Sequence, residues 1–292
     1  MATLADGLIQ PAAEPRRRNR ALARFLRHRA AVVALAVVVL FVLVAVLAPA
    51  VAPYDPMQTD WAAVHQTPSA AHWLGTDEIG RDLLSRMIWG CRASLLAGVV
   101  SVVIAIAIGL PLGLIAGYVG GWTDGLISRF TDALLACPFL ILAIALAAFL
   151  GPSLTNAMIA IGISVTPIFI RLARGQVLVV KVEDFVEAAR AVGNPPYRIL
   201  LRHILPNVMP PVLVQSTLAI ATAIIAEASL SFLGVGQQPP APSWGSMLNV
   251  AKDFMSQAPW MALWPGLAIC LIVLAFNVLG DGLRDALDPK QQ

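Results

Sequence analysis

Glu227 is the lone acid inside a long apolar run of this 292-residue chain. An ionisable group at membrane depth is a functional candidate by default, because an unpaired charge is costly there. Two roles remain open for it: a pathway residue, or a carboxylate near the outer end of its span that hydrogen-bonds Ser229 or Ser231. Asn277, in the last apolar run, either lines a pathway or bonds across helices. Beyond these two, reactive groups are sparse. The four histidines (His28, His65, His72 and His203) all fall outside the apolar runs, so no nucleophile with a base is set up inside one. Cys91, Cys137 and Cys270 are isolated, without a CxxC pair or zinc spacing, and read as lone buried thiols. No GxxxxGK[ST] loop is present, so nucleotide must be bound elsewhere. The cluster Asp281, Arg284, Asp285 and Asp288 reads as a solvated, ion-paired helix end. Catalytic residues and a metal site are therefore expected to be absent.

The elements that position these groups are membrane spans. The chain is 58% hydrophobic and 13% charged, about half the charged share of an ordinary soluble domain. A span needs ~20 apolar residues. Six runs qualify, at about 31–48, 93–123, 133–150, 153–170, 208–233 and 260–280. Gly109, Gly113 and Gly117 recur every four residues in the second, a face of small residues for close helix packing within the chain or between subunits. Prolines lie inside the second, third and fourth spans, Pro138 and Pro167 in the latter two, and fit bent helices that can rearrange. The stretch HWLGTDEIGRDLLSRMIWG reads as an amphipathic helix capped by Thr76 or Asp77, with Ile79, Leu83 and Met87 as its stripe. Trp61, Trp73 and Trp89 flank it, as suits a bilayer interface.

The net charge of +3 is distributed by position. Arginines 16, 17, 18, 20, 24, 27 and 29 precede the first span and serve orientation. The first run is too long for the core of a cleaved signal peptide. With the N-terminus inside, four of the twenty Lys and Arg residues (Arg81, Arg86, Arg92 and Lys252) fall outside. The positive-inside rule thus predicts cytoplasmic termini.

Between the fourth and fifth spans lies EAARAVGNPPYRILLRHILP, Glu187 to Pro206. Phe185, Val186, Ala189 and Val192 share one helical face. Gly193 suits the left-handed exit of a helix, and Pro195 and Pro196 forbid continuation while Pro196 suits a new first turn. Tyr197, Leu200, Leu201 and Ile204 keep helical spacing until Pro206, which disfavours helix at Leu205. A helical elbow of two short helices is predicted, on the cytoplasmic side.

Glu187, Ala188, Ala189, Gly193 and the closing Leu205-Pro206 resemble the EAA loop of ABC-importer permeases, with Tyr197 in the second half of the loop. His203 departs from that pattern, which has an aliphatic residue two before the Leu-Pro. The stretches HWLGTDEIGRDLLSRMIWGCRASL, EASLSFLGVGQQPPAPSWGSML and AFNVLGDGLRDALDP extend the resemblance to nearly the whole chain from Arg24. They look like the second, C-type permease of dipeptide, oligopeptide and nickel importers.

That resemblance implies an all-α polytopic fold of six transmembrane helices with a cytoplasmic coupling helix. It implies a bacterial inner-membrane subunit forming half of a translocation pathway for peptides, with nickel or another small solute as the alternative cargo. The implied partners are a second permease of different sequence, two cytoplasmic ATPase domains that bind ATP and Mg, an extracytoplasmic binding protein and membrane lipids. No nucleic acid is implied, and no cofactor bound by this chain. Glu187, Ala188, Ala189, Gly193, Tyr197, Leu205 and Pro206 would couple to the ATPase. The expected organisation is a basic segment 1–29, a first span 30–52, an extracytoplasmic segment 53–92 with an amphipathic helix, a core 93–285 with coupling loop 182–206, and a tail 286–292. A secondary transporter or channel would show a half-to-half repeat or several midplane charges, and neither is visible.

Overall fold

The structure, a computed structural model, describes residues 23–287. Arg16, Arg17, Arg18, Arg20 and residues 288–292 lie outside the described residues. Apolar runs dictate helices, because a chain in lipid must satisfy its backbone groups internally. Among the described residues five helices are long and apolar enough to cross a membrane, six if one sharply bent pair counts as a single span.

Helix α1 (Arg29–Val46) starts where His28 Nδ1 accepts the Ala31 N–H at 3.1 Å. A single turn at Ala48–Val51 leads into a long irregular segment. Helix α2 then runs unbroken from Leu83 to Val119. The predicted amphipathic helix starting near Thr76 is therefore corrected. Residues 76–82 form a turn closed by a Thr76–Asp82 bridge, and Asp82 caps the helix by accepting the Ser85 N–H at 2.8 Å. Gly80 sits in that turn at φ +77°, and a Cβ there would lie 1.7 Å from the Asp60 carbonyl oxygen. From Leu83 onward the helix runs on through Pro111 to Val119, so the amphipathic stretch and the second span are one helix.

Gly120 and Gly121, both at positive φ, end that helix. Helices α3 (Gly121–Ala136) and α4 (Phe139–Leu150) meet at 91°. The third span, expected as one helix from Ala133, is thus a bent pair. Pro138 forces Cys137 to an extended backbone, ψ 130°, and breaks the helix there. Helix α5 (Leu154–Val180) extends ten residues past its expected end at Ile170. Arg171 and Arg174 sit within it because acids on α3 receive them. Arg171 Nη2 meets Asp132 Oδ1 at 2.6 Å, and Arg174 Nη2 meets Asp124 Oδ2 at 2.7 Å.

Helix α6 (Asp184–Ala191) follows, then α7 (Pro196–Phe232), α8 (Trp244–Ala251) and α9 (Trp260–Leu287). The expected stop at Leu205 does not occur. Residues Leu200–Ile204 widen into a π-helical turn, in which the Leu205 N–H bonds the Leu200 carbonyl. A widened turn accommodates the missing N–H and the ring of Pro206 without ending the helix.

Packing of α2 on α5 forms the centre of the bundle. A Cβ on Gly109, Gly113 or Gly117 would lie 2.5–2.9 Å from Phe169, Thr166, Ile170, Ala173, Val177 or Arg174 atoms of α5. The glycine face therefore packs within the chain. One apolar core joins α2, α4, α5, α6 and α7, and a second joins α1, α8, α9, the first part of α2 and Ala221 and Ile224 of α7. Cys91 is buried and Cys137 half-buried, but Cys270 is exposed on α9, against the expectation of three buried thiols. A thiol behaves as a small apolar group and costs little on a lipid-facing surface.

Candidate functional site

The elbow is built from the end of α5, the short helix α6 and the start of α7. Helix α6 places Asp184 and Glu187 in its first turn and Arg190 in its last, complementing its dipole. Its exit is a Schellman turn. The Gly193 N–H bonds Arg190 O at 2.9 Å and the Asn194 N–H bonds Ala189 O at 3.2 Å. Gly193 holds φ +78° and is exposed, and a Cβ there would touch nothing within 4 Å. It is required by backbone conformation, and space imposes nothing. Asn194 adds a side-chain bond to Ala189 O at 3.0 Å, which ties the exit to the helix end.

The faces of α6 divide sharply. Val186 and Ala189 are buried against the chain's own core, which includes Ile199 and Ile204. Glu187, Ala188 and Tyr197 are exposed, as is Pro206, while Leu205 is half-buried. Ala189 therefore holds α6 down and leaves Glu187 and Ala188 to face outward. Phe185 and Val192, expected on the same apolar face as Val186, are instead exposed, Val192 to 77%. Val182, Tyr197 and Leu201 are exposed as well, so the elbow carries five large apolar side chains with open surface. Leu201, expected on the apolar stripe with Leu200 and Ile204, is exposed, and Val182 was not anticipated; the signal available in the sequence is large apolar residues placed between charges beyond the end of a span.

Three contacts connect this elbow to the spans. Arg190 lies over the Tyr118 ring at 6.0 Å, at the end of α2. Lys181 Nζ donates to Gly117 O at 2.9 Å, and the Arg174–Asp124 pair fastens α5 to α3. Exposed apolar surface on a segment fastened to three transmembrane elements is of the kind that marks interaction sites.

Glu227 and Asn277 lie elsewhere. Glu227 is fully buried on α7, where it accepts hydrogen bonds from Ser94 Oγ of α2 at 2.8 Å and Ser231 Oγ at 2.7 Å. Ser229 donates to the Ile225 carbonyl instead. Asn277 bonds the Val273 carbonyl one turn back in its own helix, at 2.9 Å, and makes no side-chain bond across helices among the described residues. Asp285 lies 3.8 Å from His28, joining the two ends of the chain, and Asp288 is outside the described residues. Among the described residues no group of three His, Cys, Asp or Glu side chains is placed to hold a metal ion.

The arrangement at Glu227 predicts a graded result. Glu227→Gln keeps an acceptor for one serine and a donor for the other, and is expected to purify at wild-type yield. Glu227→Leu strands both hydroxyls and is expected to cost about 2–4 kcal/mol. Thermal melting in detergent measures this; equal melting temperatures for Leu and Gln would show that the hydrogen bonds contribute nothing.

At the opposite end of the bundle a buried ion network holds the irregular segment. Arg81 Nε meets Asp77 Oδ2 at 2.5 Å, Arg81 Nη2 meets Glu78 Oε1 at 2.6 Å, and Arg86 Nε lies 3.3 Å from Asp77. Arg86 also donates to Pro56 O at 3.0 Å and Pro240 O at 3.4 Å, clamping two loops onto α2. Burial pushes the Glu78 carboxyl up from its ordinary range, with Asp77 adding to that and Arg81 opposing it.

Comparison with known proteins gives a consistent result. The family described as binding-protein-dependent transport system inner membrane component matches residues 109–292. The N-terminal transmembrane domain of oligopeptide transport permease C matches residues 18–68. The dipeptide transport system permease protein DppC of Alkalihalophilus pseudofirmus is 48% identical over 266 residues, covering 91% of this chain and 88% of that protein. The glutathione transport system permease protein GsiD of Shigella flexneri is 51% identical over 268 residues, with the same coverage. Among solved structures, inward-facing conformations of the MetNI methionine ABC transporter share the fold. Two crystal forms give TM-scores of 0.57 and 0.59 at 22% and 18% identity, each covering 70% of this chain and 97% or 98% of theirs.

Proposed function

The chain belongs to the family of binding-protein-dependent transport system inner membrane components, and from that premise we propose that it carries peptides as one half of an ABC importer's translocation pathway. The exposed apolar side chains of the elbow carry the reading. Surface of this kind is retained where a partner covers it. In this reading the partner is an ATPase subunit, one of two that bind ATP and Mg²⁺ beneath the membrane. A second permease of different sequence completes the pathway, and an extracytoplasmic binding protein delivers the solute. The termini and the elbow are cytoplasmic, in keeping with the placement of sixteen of twenty basic residues on that side.

The mechanism is mechanical. When the ATPases close on ATP, the docked elbow moves as a unit, because Val186 and Ala189 seat α6 and the Schellman turn fixes its exit. Its movement reaches α5 and α7 along the chain, α2 through Arg190–Tyr118 and Lys181–Gly117, and α3 through Arg174–Asp124. Alternate tilts of these helices open a central path to one side and then the other. The chain itself performs no hydrolysis and binds no cofactor in this account.

Peptides are favoured as cargo because dipeptide and glutathione permeases lie at about half identity over nearly the whole length. The test is uptake of labelled dipeptides, tripeptides, longer peptides and nickel by cells with and without this subunit. Peptide uptake is expected to require both the subunit and ATP. Nickel uptake alone would change the cargo, and peptide uptake that survives ATP depletion at maintained membrane potential would reject the ABC mechanism.

A further inference from the structure

Four basic residues stand at the end of the bundle opposite the elbow, and three have partners. Arg81 and Arg86 are buried in the network around Asp77. Lys252 lies 5.5 Å from the centre of the Phe232 ring. Arg92 is exposed, and no described residue pairs with its guanidinium. An exposed guanidinium that no protein group engages is available to a ligand anion, with which it can form charge-assisted hydrogen bonds.

Arg92 lines a cavity of about 740 Å³ at the outer end of α2. That volume falls within the roughly 300–1,000 Å³ of sites that take small molecules. Trp89, Leu96 and Tyr54 supply apolar and aromatic wall, and Gln237 supplies an amide. Asp55 stands in the same lining. One of its carboxylate oxygens accepts the Met57 N–H at 2.8 Å, and the other has no partner among the described residues. The cavity thus offers one free cation, one free anion and flat apolar surface between polar groups. Its walls come from the loop after α1, from α2, from the start of α5 and from the loop after α7. The ion network that clamps Pro56 and Pro240 onto α2 holds two of these walls in place.

We propose that this cavity is an entry vestibule for a zwitterionic peptide, in which Arg92 receives the peptide's carboxylate and Asp55 its ammonium group. The proposal rests on the peptide reading above. It adds a specificity rule that reading lacks: the pathway itself selects for free termini, while the varied side chains of different peptides meet only apolar and aromatic wall. Dipeptides and glutathione differ in length and side chains, yet all carry a free carboxylate and a free ammonium group, the features this lining would recognise.

The test uses the complete transporter, with both permeases, the ATPases and the binding protein, in proteoliposomes. Initial uptake of labelled Ala-Ala and of its C-terminal amide is measured, each rate normalised to binding-protein occupancy under the same conditions. Arg92→Gln is expected to slow the free acid about five- to tenfold, the effect of losing one charge-assisted hydrogen bond, and to leave the amide unchanged. Arg92→Lys should recover most of the loss. Asp55→Asn should mirror the pattern, slowing free Ala-Ala but not its N-acetyl derivative. Assembly of each variant is followed by gel filtration, and Arg92→Lys keeps the test decisive if the glutamine variant assembles poorly. Equal slowing of acid and amide would overturn the proposal and assign Arg92 to binding-protein docking or a lipid phosphate. An unchanged free-acid rate in Arg92→Gln would overturn it outright while wild-type peptide uptake left the cargo reading intact. Absence of peptide uptake by the wild-type transporter would overturn both.

Discussion

Replacing Gly113 with leucine is expected to abolish recovery of the assembled protein. A Cβ at that position would stand 2.5 Å from Ile170 O, 2.6 Å from Ala173 Cβ and 3.1 Å from Arg174 N. Two of these atoms are backbone, so no rotamer change relieves the clash. Helices α2 and α5 must separate, and the whole glycine face from Gly109 to Gly117 loses its partner. Overpacking costs about 1–3 kcal/mol even where a core can shift, and here the shift dismantles the central pair. Gly113→Ala should show the same defect in milder form. Gly175→Ala, on α5 with nothing within 4 Å of the added atom, is the control. It should raise stability by up to about 1 kcal/mol through helix propensity alone. Membrane yield and thermal melting of the three variants measure this. A leucine variant as stable as wild type would mean that α2 and α5 do not meet along this face.

Gly193→Asp is expected to leave the protein folded and stop transport. Nothing surrounds the position, so the added side chain meets no obstacle. The effect comes from φ +78° and from a new negative charge on the exposed elbow that is proposed to meet the ATPase. Left-handed backbone costs most L-residues about 1–2 kcal/mol, and asparagine and aspartate tolerate it best. Gly193→Asn therefore isolates the charge, Gly193→Val isolates the strain, and Gly193→Asp contains both. Valine should lower ATPase co-purification about tenfold through strain, asparagine should be close to wild type, and aspartate should lose coupling through charge. Normal transport by the aspartate variant would remove the elbow from the mechanism.

The spans and the elbow were legible because hydropathy and the placement of glycine and proline are local signals. Gly193 is the clearest case, since its positive φ follows from a helix end and a Pro-Pro pair within three residues. Errors arose where two conformations share one pattern. Ile79, Leu83 and Met87 repeat every four residues whether the helix starts at Asp77 or at Leu83, and the choice fell to Asp82, whose second oxygen is held by His72 at 2.9 Å. Pro206 excludes a regular α-turn but permits a π-turn, and only the packing of Ile199 and Ile204 in the core favours continuing. The partners of Glu227 were half legible. Ser231 is one turn away, whereas Ser94 lies 133 positions earlier and no local signal connects them. Exposure of Phe185 and Val192 was hidden for a related reason, because helical spacing identifies an apolar face without saying which partner covers it.

Helix α2 is one continuous rod of 37 residues, about 55 Å at 1.5 Å per residue. At one end it carries the Asp77–Arg86 clamp and Arg92, and at the other Tyr118 beneath Arg190. Pro111 removes one backbone bond within it without ending the helix, so its two ends stay joined by continuous helix. Whatever ligand prefers one of its tilts at the outer end alters affinity at the elbow by a given factor. Thermodynamic linkage then requires occupancy at the elbow to alter affinity at the outer end by that same factor. In the proposed transport cycle, delivery of cargo and capture of nucleotide would be two readings of one free energy, and measuring either direction would yield the other.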